Sequence, residues 1–140
     1  MFEECLYFNS NALARAVTKL WTEAYKPFDL SPPHAFLLRA VLAQPGLQPK
    51  QLADELNLSR STVTRFLDSL EARGLLQRTA GSADAREWQV HPTPEAQAMH
   101  AELDATGARL TTQMRRLFGK AVVGDTVATL RQMQQKIDQL

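Results

Sequence analysis

Prolines and glycines divide this chain of 140 residues into segments separated by short turns. Within most segments, apolar residues recur every three or four positions, which predicts amphipathic helices. Proline at the start of a segment and glycine just after its end are the places where these residues favour a helix boundary. The chain is therefore predicted to be mainly α-helical, with little room for a large sheet.

The predicted elements are four helices, a strand pair, a long helix and a last helix. The helices cover about residues 3–25, 32–43, 49–56, 59–73, 94–117 and 125–139, and the strands about 75–79 and 87–91. Ser31 and Thr93 precede prolines as N-caps, and Gly74 ends the fourth helix. Residues 80–86 form the hairpin loop. This order predicts a winged helix-turn-helix lobe over residues 31–93.

Residues 51–65 carry the features of a helix-turn-helix motif. Ala53 provides the small residue that the crossing of two helices requires. The apolar residues expected to lock the two helices together are Leu52, Leu56, Leu58, Val63 and Leu67. The second helix of such a motif enters the major groove of DNA with its N-terminal end.

The start of that second helix carries short polar side chains and arginines, with no acid before Leu67: Ser59, Arg60, Ser61, Thr62, Thr64 and Arg65. Arginine can bond to O6 and N7 of guanine, and hydroxyl groups can donate to phosphates. A helical hairpin with a solvated polar face has the same pattern, so this stretch alone leaves that alternative open.

The predicted hairpin adds cations where a DNA-binding wing would have them. Arg78 lies near the end of the first strand, and Asp84 and Arg86 lie at the loop exit. A wing arginine can enter a narrow minor groove, where the negative potential is enhanced. Asp84 can hold Arg86 by a charge-assisted hydrogen bond, although an ordinary surface pair is the alternative.

The predicted helix over residues 94–117 would be ~36 Å long at 1.5 Å per residue. Its apolar stripe therefore needs more to pack against than a wing. A second copy of the chain is the economical partner, and two-fold symmetry suits palindromic half-sites. This helix is accordingly predicted to pack against a second copy of the chain.

Taken together, these motifs resemble the MarR (multiple antibiotic resistance regulator) family. The residues that carry the resemblance are Leu52, Ala53, Leu56, Ser59 to Arg65, Leu70, Glu71, Gly74, Leu75, Arg78, Asp84 and Arg86. The resemblance covers essentially the whole chain. It implies a homodimeric transcriptional repressor on a pseudo-palindromic DNA operator. It also implies that residues 1–30 and 94–140 form a helical dimerisation region and that Arg86 contacts the minor groove. The glycine that the family has after the second strand is missing here, while Thr93 is kept.

The resemblance suggests two ways of releasing DNA, of which the first is oxidation of Cys5, the only cysteine. A helix N-terminus favours the thiolate, and some peroxide-sensing members carry a cysteine in a similar context. Glu3 and Glu4 oppose this effect, and Pro32 or His34 stands where those sensors have a tyrosine. A small apolar residue in a packed helix is the alternative.

The second way is a small aromatic or phenolic effector, bound in the cleft that the family has between the dimer helices and the DNA-binding lobe. The residues placed there are Trp21, Tyr25, Phe28, His34 and Phe36. An aromatic cluster with a few polar tips suits such ligands. Plain core packing is the alternative.

Composition and missing motifs exclude other classes of protein. No apolar run approaches the ~20 residues of a membrane span, and the N-terminus lacks the basic segment of a signal peptide. We expect a soluble protein in a reducing, cytoplasmic setting. No catalytic triad, phosphate loop or paired-carboxylate motif is present, and the three histidines lack ligand spacing, so neither an enzyme nor a metal or cofactor is expected.

A winged-helix module that binds protein instead of DNA remains the alternative. Its recognition helix and wing need no arginines. The chain carries Arg60, Arg65 and Arg86 at those places, which favours DNA. The net charge of +1 is low for a nucleic-acid binder, so the local placement of these cations matters more than their total.

Overall fold

The structure is a computed structural model that describes residues 1–81 and 87–140. Its elements are α1 (Leu6–Tyr25), a 3₁₀ turn (Lys26–Phe28), α2 (Pro32–Ala43), α3 (Pro49–Leu56), α4 (Arg60–Ala72), β1 (Leu76–Ala80), β2 (Trp88–Pro92), α5 (Pro94–Phe118) and α6 (Lys120–Asp138). The two strands form an antiparallel sheet. The predicted fold, mainly α-helical with a β-hairpin wing, is confirmed.

The contacts within the chain define two compact units, Met1–Asp104 and Ala105–Leu140. The first unit contains α1 to α4, the sheet and the beginning of α5. The second contains the rest of α5 and α6, with Gly119 between them at a φ of 93°. The predicted dimerisation region draws on both units and involves a second chain, so it stays a prediction.

The helix-turn-helix consists of α3 and α4, held together by a small apolar core. Asn57 makes the turn in the left-handed conformation, with φ 57° and ψ 47°, which asparagine tolerates better than most residues. Leu56 and Leu58 are half-buried beside it. The buried residues that lock the two helices are Leu52, Ala53, Val63, Leu67 and Leu70.

The hairpin wing is attached to the start of α3 by main-chain hydrogen bonds. Gly46 donates its N–H to the carbonyl of Val90, and Val90 donates to Leu47, each at 2.8 Å. Both strands begin one residue later than predicted. The reason at β1 is that the N–H of Leu75 donates to the carbonyl of Leu70 and so completes the end of α4.

Thr93 connects the end of the wing with two helices. Its hydroxyl donates to the carbonyl of Gly74 at 2.7 Å and accepts the N–H of Ala96 at 3.3 Å. Gly74 has a φ of 74°, which a residue with a side chain rarely adopts. The predicted N-cap at Thr93 and helix stop at Gly74 are therefore confirmed.

Two helix starts differ from the prediction. α1 begins at Leu6 because the side-chain amide of Asn9 donates to the carbonyls of Phe2 and Cys5, which holds the preceding residues in a turn. α6 begins at Lys120 and continues through Gly124, where no atom lies within 4 Å of an added Cβ. A solvent-facing glycine lowers helix propensity without ending the helix.

Apolar side chains of α1 and α6 remain exposed in the single chain. Tyr25 is the one buried residue of α1, and α6 has none. Exposed apolar side chains at helical spacing on each of these helices are Leu6, Leu13, Val17, Leu20, Val127, Leu130, Met133 and Ile137. Such faces are typical of surfaces that pack against another chain.

His34 of α2 packs on Phe66 of α4, with ring centroids 4.4 Å apart. Burial lowers the pKa of His34 below its usual value, and the charge of Arg73 lowers that pKa further. The folded chain therefore resists protonation of this imidazole, whereas the unfolded chain takes up the proton at the ordinary pKa.

Stability should accordingly fall as the pH drops from about 7 to about 5, because the unfolded state then binds more protons than the folded state. We expect His34→Gln to flatten this pH dependence of the free energy of unfolding, measured by urea denaturation. Parallel pH profiles for the variant and the wild type would contradict the assignment.

Candidate nucleic-acid interface

The first turn of α4 is organised by hydroxyl groups. The Ser59 hydroxyl accepts the N–H of Thr62 at 3.2 Å and donates to the Thr62 hydroxyl at 2.8 Å. The Ser61 hydroxyl lies 3.1 Å from that of Ser59. Because a helix N-terminus carries partial positive charge and free N–H groups, this turn is suited to an anion such as a DNA phosphate.

The two arginines of α4 are exposed on the same part of the helix. Arg65 donates to the Thr62 hydroxyl at 3.4 Å, and the Thr64 hydroxyl donates to the carbonyl of Arg60 at 2.9 Å. Within residues 1–81 and 87–140, neither guanidinium forms a salt bridge with a carboxylate. Both cations are thus available to a partner, as the DNA-binding prediction requires.

Arg78 is placed differently from the other predicted DNA contacts. Its guanidinium donates to Glu71 at 2.7 Å and to Asp68 at 2.6 Å, so it links β1 to α4. Although burial acts to lower the pKa of Arg78, hydrogen bonds and charges from both carboxylates outweigh it and raise the pKa. Sequence reasoning missed this pairing. The spacing of Asp68 and Glu71, three residues apart on one helix face, was the available signal.

The remaining wing residues of the prediction, Asp84 and Arg86, lie outside the described residues. A pocket of about 300 Å³ opens between the first residues of β2 and the starts of α3 and α4. Its lining residues are Gln48, Pro49, Lys50, Arg60, Glu87 and Trp88. Sequence reasoning singled out only Arg60 among them, because the others meet through tertiary contacts.

Three of the five predicted effector-site residues form a cluster. The ring of Tyr25 lies 6.2 Å from the rings of both Phe28 and Phe36, measured between centroids. Trp21 is half-buried one turn before Tyr25 on α1. His34 packs on Phe66 as described above, so it contributes to the joint between α2 and α4.

Arg39 is a member of this aromatic cluster that sequence reasoning missed. Its guanidinium carbon lies 5.6 Å from the centroid of Phe36, and its side chain donates to the Tyr25 hydroxyl at 3.1 Å. It also pairs with Asp104 of α5 at 3.0 Å, and His100 contacts the same carboxylate at 3.1 Å. The cluster therefore joins α1, α2 and α5. The available signal for Arg39 was the tyrosine at position 25, because a buried tyrosine hydroxyl, as Tyr25 proves to be, needs a hydrogen-bond partner.

Cys5 stands at the N-cap position of α1 and is exposed. The predicted location at a helix start is thus observed, while its reactivity stays a prediction. Among the described residues, no group of three His, Cys, Asp or Glu side chains is placed to hold a metal ion. No described helix combines the length and the apolar character needed to span a bilayer.

Comparison with known proteins finds similarity to transcriptional regulators. Residues 28–87 match the model of the MarR family. A Thauera aromatica protein assigned to regulation of the hcr operon is 24% identical over 97 residues, which cover 69% of this chain and 58% of that protein's length. The HTH-type transcriptional regulator MgrA of Staphylococcus aureus is 23% identical over 131 residues, 86% of this chain and 89% of MgrA.

Solved structures have the same fold. The transcriptional repressor CouR, bound to a 23-mer DNA duplex, is 24% identical and superposes with a TM-score of 0.84 over 95% of this chain and 94% of its own. PcaV of Streptomyces coelicolor, in complex with its natural ligand, is 23% identical. It superposes with a TM-score of 0.85 over 96% of this chain and 95% of PcaV. These relatives are regulators and not enzymes. Residues 28–87 therefore match the MarR family of transcriptional regulators, and the described residues have the winged-helix fold of the solved regulators.

Proposed function

We propose that this chain is a sequence-specific repressor that binds a pseudo-palindromic DNA operator as a homodimer. The observation that carries the proposal is the exposed start of α4, where Arg60 and Arg65 lack carboxylate partners among the described residues and hydroxyl groups order the first turn. A helix with such an end fits the major groove. CouR, which shares the fold, is a repressor solved on a DNA duplex, and this supports repression.

Each predicted contact then has a distinct role. Arg60 and Arg65 bond to guanine edges or phosphates, and Arg86 with Asp84 remains the candidate for the minor groove. Arg78 is a positioning residue, because its ion pairs hold the wing against α4. The hydroxyl side chains that contact phosphates are Ser59, Ser61, Thr62 and Thr64.

A homodimer accounts for the exposed apolar faces of α1 and α6. We assign residues 1–30 and 94–140 to dimerisation and residues 31–93 to the DNA-binding lobe. Two lobes related by a two-fold axis would read two half-sites of a palindrome. Sedimentation analysis showing a monomer at micromolar concentration would contradict this arrangement.

Replacing Arg65 by glutamine should weaken operator binding about 5- to 150-fold, because a bidentate arginine pair contributes ~1–3 kcal/mol. If Arg65 contacts a phosphate, the dependence of the logarithm of affinity on the logarithm of salt concentration should also flatten by about 0.9. Fluorescence anisotropy with labelled duplexes measures both quantities.

Arg15→Gln is the matched control, since it removes the same charge from the side of α1 that lies away from Leu13 and Val17 and so from the apolar face assigned to the dimer. Equal behaviour of the two variants would contradict the assignment of α4 as the recognition helix. If the wild type binds no duplex even at low salt, the protein-interaction alternative replaces the proposed function.

Release by a small aromatic effector is the regulation that the cluster around Tyr25 favours. Phe28, Phe36 and the guanidinium of Arg39 surround Tyr25, a combination of rings and a cation that suits an aromatic acid or phenol. The solved complex of PcaV with its natural ligand supports a ligand-controlled regulator. Simple phenolic acids should lower operator affinity in the wild type and much less in Phe36→Ala. A compound panel without effect on the wild type would exclude this class.

Oxidation of Cys5 is the second route, favoured by the exposure of its thiol at the start of α1. Peroxide should then weaken operator binding by the wild type and leave Cys5→Ser unchanged. Wild-type binding that survives peroxide would remove the thiol from the mechanism.

A further inference from the structure

Neither the sequence motifs nor the similar proteins assign a function to the pocket at the base of the wing, which is lined by Lys50, Arg60 and Trp88. We propose that it binds the DNA backbone next to the recognition helix, with Lys50 and Arg60 on a phosphate and Trp88 on the adjoining sugar. This inference rests on the proposed function and extends it. The contact would widen the interface beyond α4, onto the start of α3 and the first residue of β2.

The fold itself brings these three side chains together. Leu47 pairs with Val90 in an antiparallel bridge, so the same register places Pro49 beside Trp88. Pro49 is also the first residue of α3, and Lys50 follows it. Because α3 and α4 are joined by the tight turn at Asn57, the first residue of α4, Arg60, faces the same pocket.

The lining of the pocket has the chemistry of a phosphate site. Lys50 and Arg60 are both exposed cations in the first turns of their helices, where the partial positive charges of the helix ends add to theirs. Neither forms a salt bridge with a carboxylate within the two described segments. The volume of about 300 Å³ exceeds what a single phosphate group occupies and leaves space for part of a sugar.

Trp88 contributes an apolar surface beside these cations. It is 46% exposed although it lies in a strand of the sheet. Its indole N–H is a donor without acceptor capacity, which matches a phosphate oxygen, and its ring can pack on a deoxyribose. Tryptophan is enriched at interfaces because it combines these two properties.

Glu87 lines the same pocket and opposes an anion there. Two cations and one carboxylate leave the pocket with a net positive charge. Repulsion between Glu87 and a phosphate means that the native site binds DNA less tightly than the cations alone would allow. Removing this acid and removing Lys50 must therefore change the affinity in opposite directions, which a general loss of folding cannot imitate.

The test compares Lys50→Gln, Glu87→Gln and Trp88→Phe with Lys19→Gln, a matched loss of charge on α1. Lys19 is two positions from Val17, so it lies on the side of α1 away from the apolar face assigned to the dimer. Salt titrations on one operator duplex give affinity and salt slope. We expect Lys50→Gln to weaken binding about two- to tenfold and to flatten the slope by about 0.9. Glu87→Gln should strengthen binding, Trp88→Phe should weaken it without changing the slope, and Lys19→Gln should have no effect.

Tryptophan emission gives a readout that does not depend on affinity. The chain has two tryptophans, Trp21 and Trp88. The change in emission when operator DNA is added is therefore measured in the wild type and in Trp88→Phe, and the difference between the two changes reports on Trp88. A DNA-dependent change confined to the wild type supports the contact. If all three pocket variants keep the DNA affinity and the salt slope of the wild type, the inference is overturned and the proposed function stays intact. If the wild type binds no duplex at all, both are overturned.

Discussion

The burial of one face of α4 determines what its opposite face can do. Val63, Leu67 and Leu70 are almost entirely inaccessible to solvent, and they fix the rotation of the helix about its axis. With that rotation fixed, Arg60 and Arg65 must point to solvent. Removing a buried leucine from such a core costs ~2–5 kcal/mol, so the packing that orients α4 also contributes substantially to the stability of the fold.

The wing and the aromatic cluster are attached to this core by polar contacts. Arg78 bridges β1 and the outer face of α4, and Thr93 ties the end of β2 to the end of α4. In α2, Arg39 contacts α1 through the Tyr25 hydroxyl and α5 through the Asp104 carboxylate. A ligand that competes for Arg39 would alter contacts between the lobe and the helices assigned to the dimer. In the proposed function, α2 would be the link between such a ligand and the DNA-binding lobe.

Local sequence signals predicted most of the fold. The cap at Thr93 and the stop at Gly74 depend on residues within a few positions of each other, and both are observed. The predicted start of α6 at about residue 125 was wrong, because glycine is common at helix ends and Gly124 therefore looked like the residue before the helix. The helix in fact begins at Lys120 and passes through Gly124. The polar run from Ser59 to Arg65 could also be identified, since one helix turn carries it.

The rest of the candidate site depends on contacts between distant residues. Arg78 looks like a DNA contact in the sequence, and its two carboxylate partners become apparent only when β1 lies against α4. Lys50 and Trp88 are 38 positions apart and meet only through the bridge between Leu47 and Val90. The periodicity of the sequence does not predict that these two residues line one pocket.

The net charge of +1 is compatible with DNA binding because the cations at the start of α4 act locally. A chain with so little net charge is expected to bind non-specific DNA weakly and to depend on specific contacts. In the proposed function, two copies of the start of α4 read one operator. Selection of bound duplexes from a random pool by the full chain tests this most directly. We expect an enriched inverted repeat with half-site centres about 10 base pairs, or a multiple of that, apart. Enrichment of a single unrepeated site, or of no sequence at all, would contradict it.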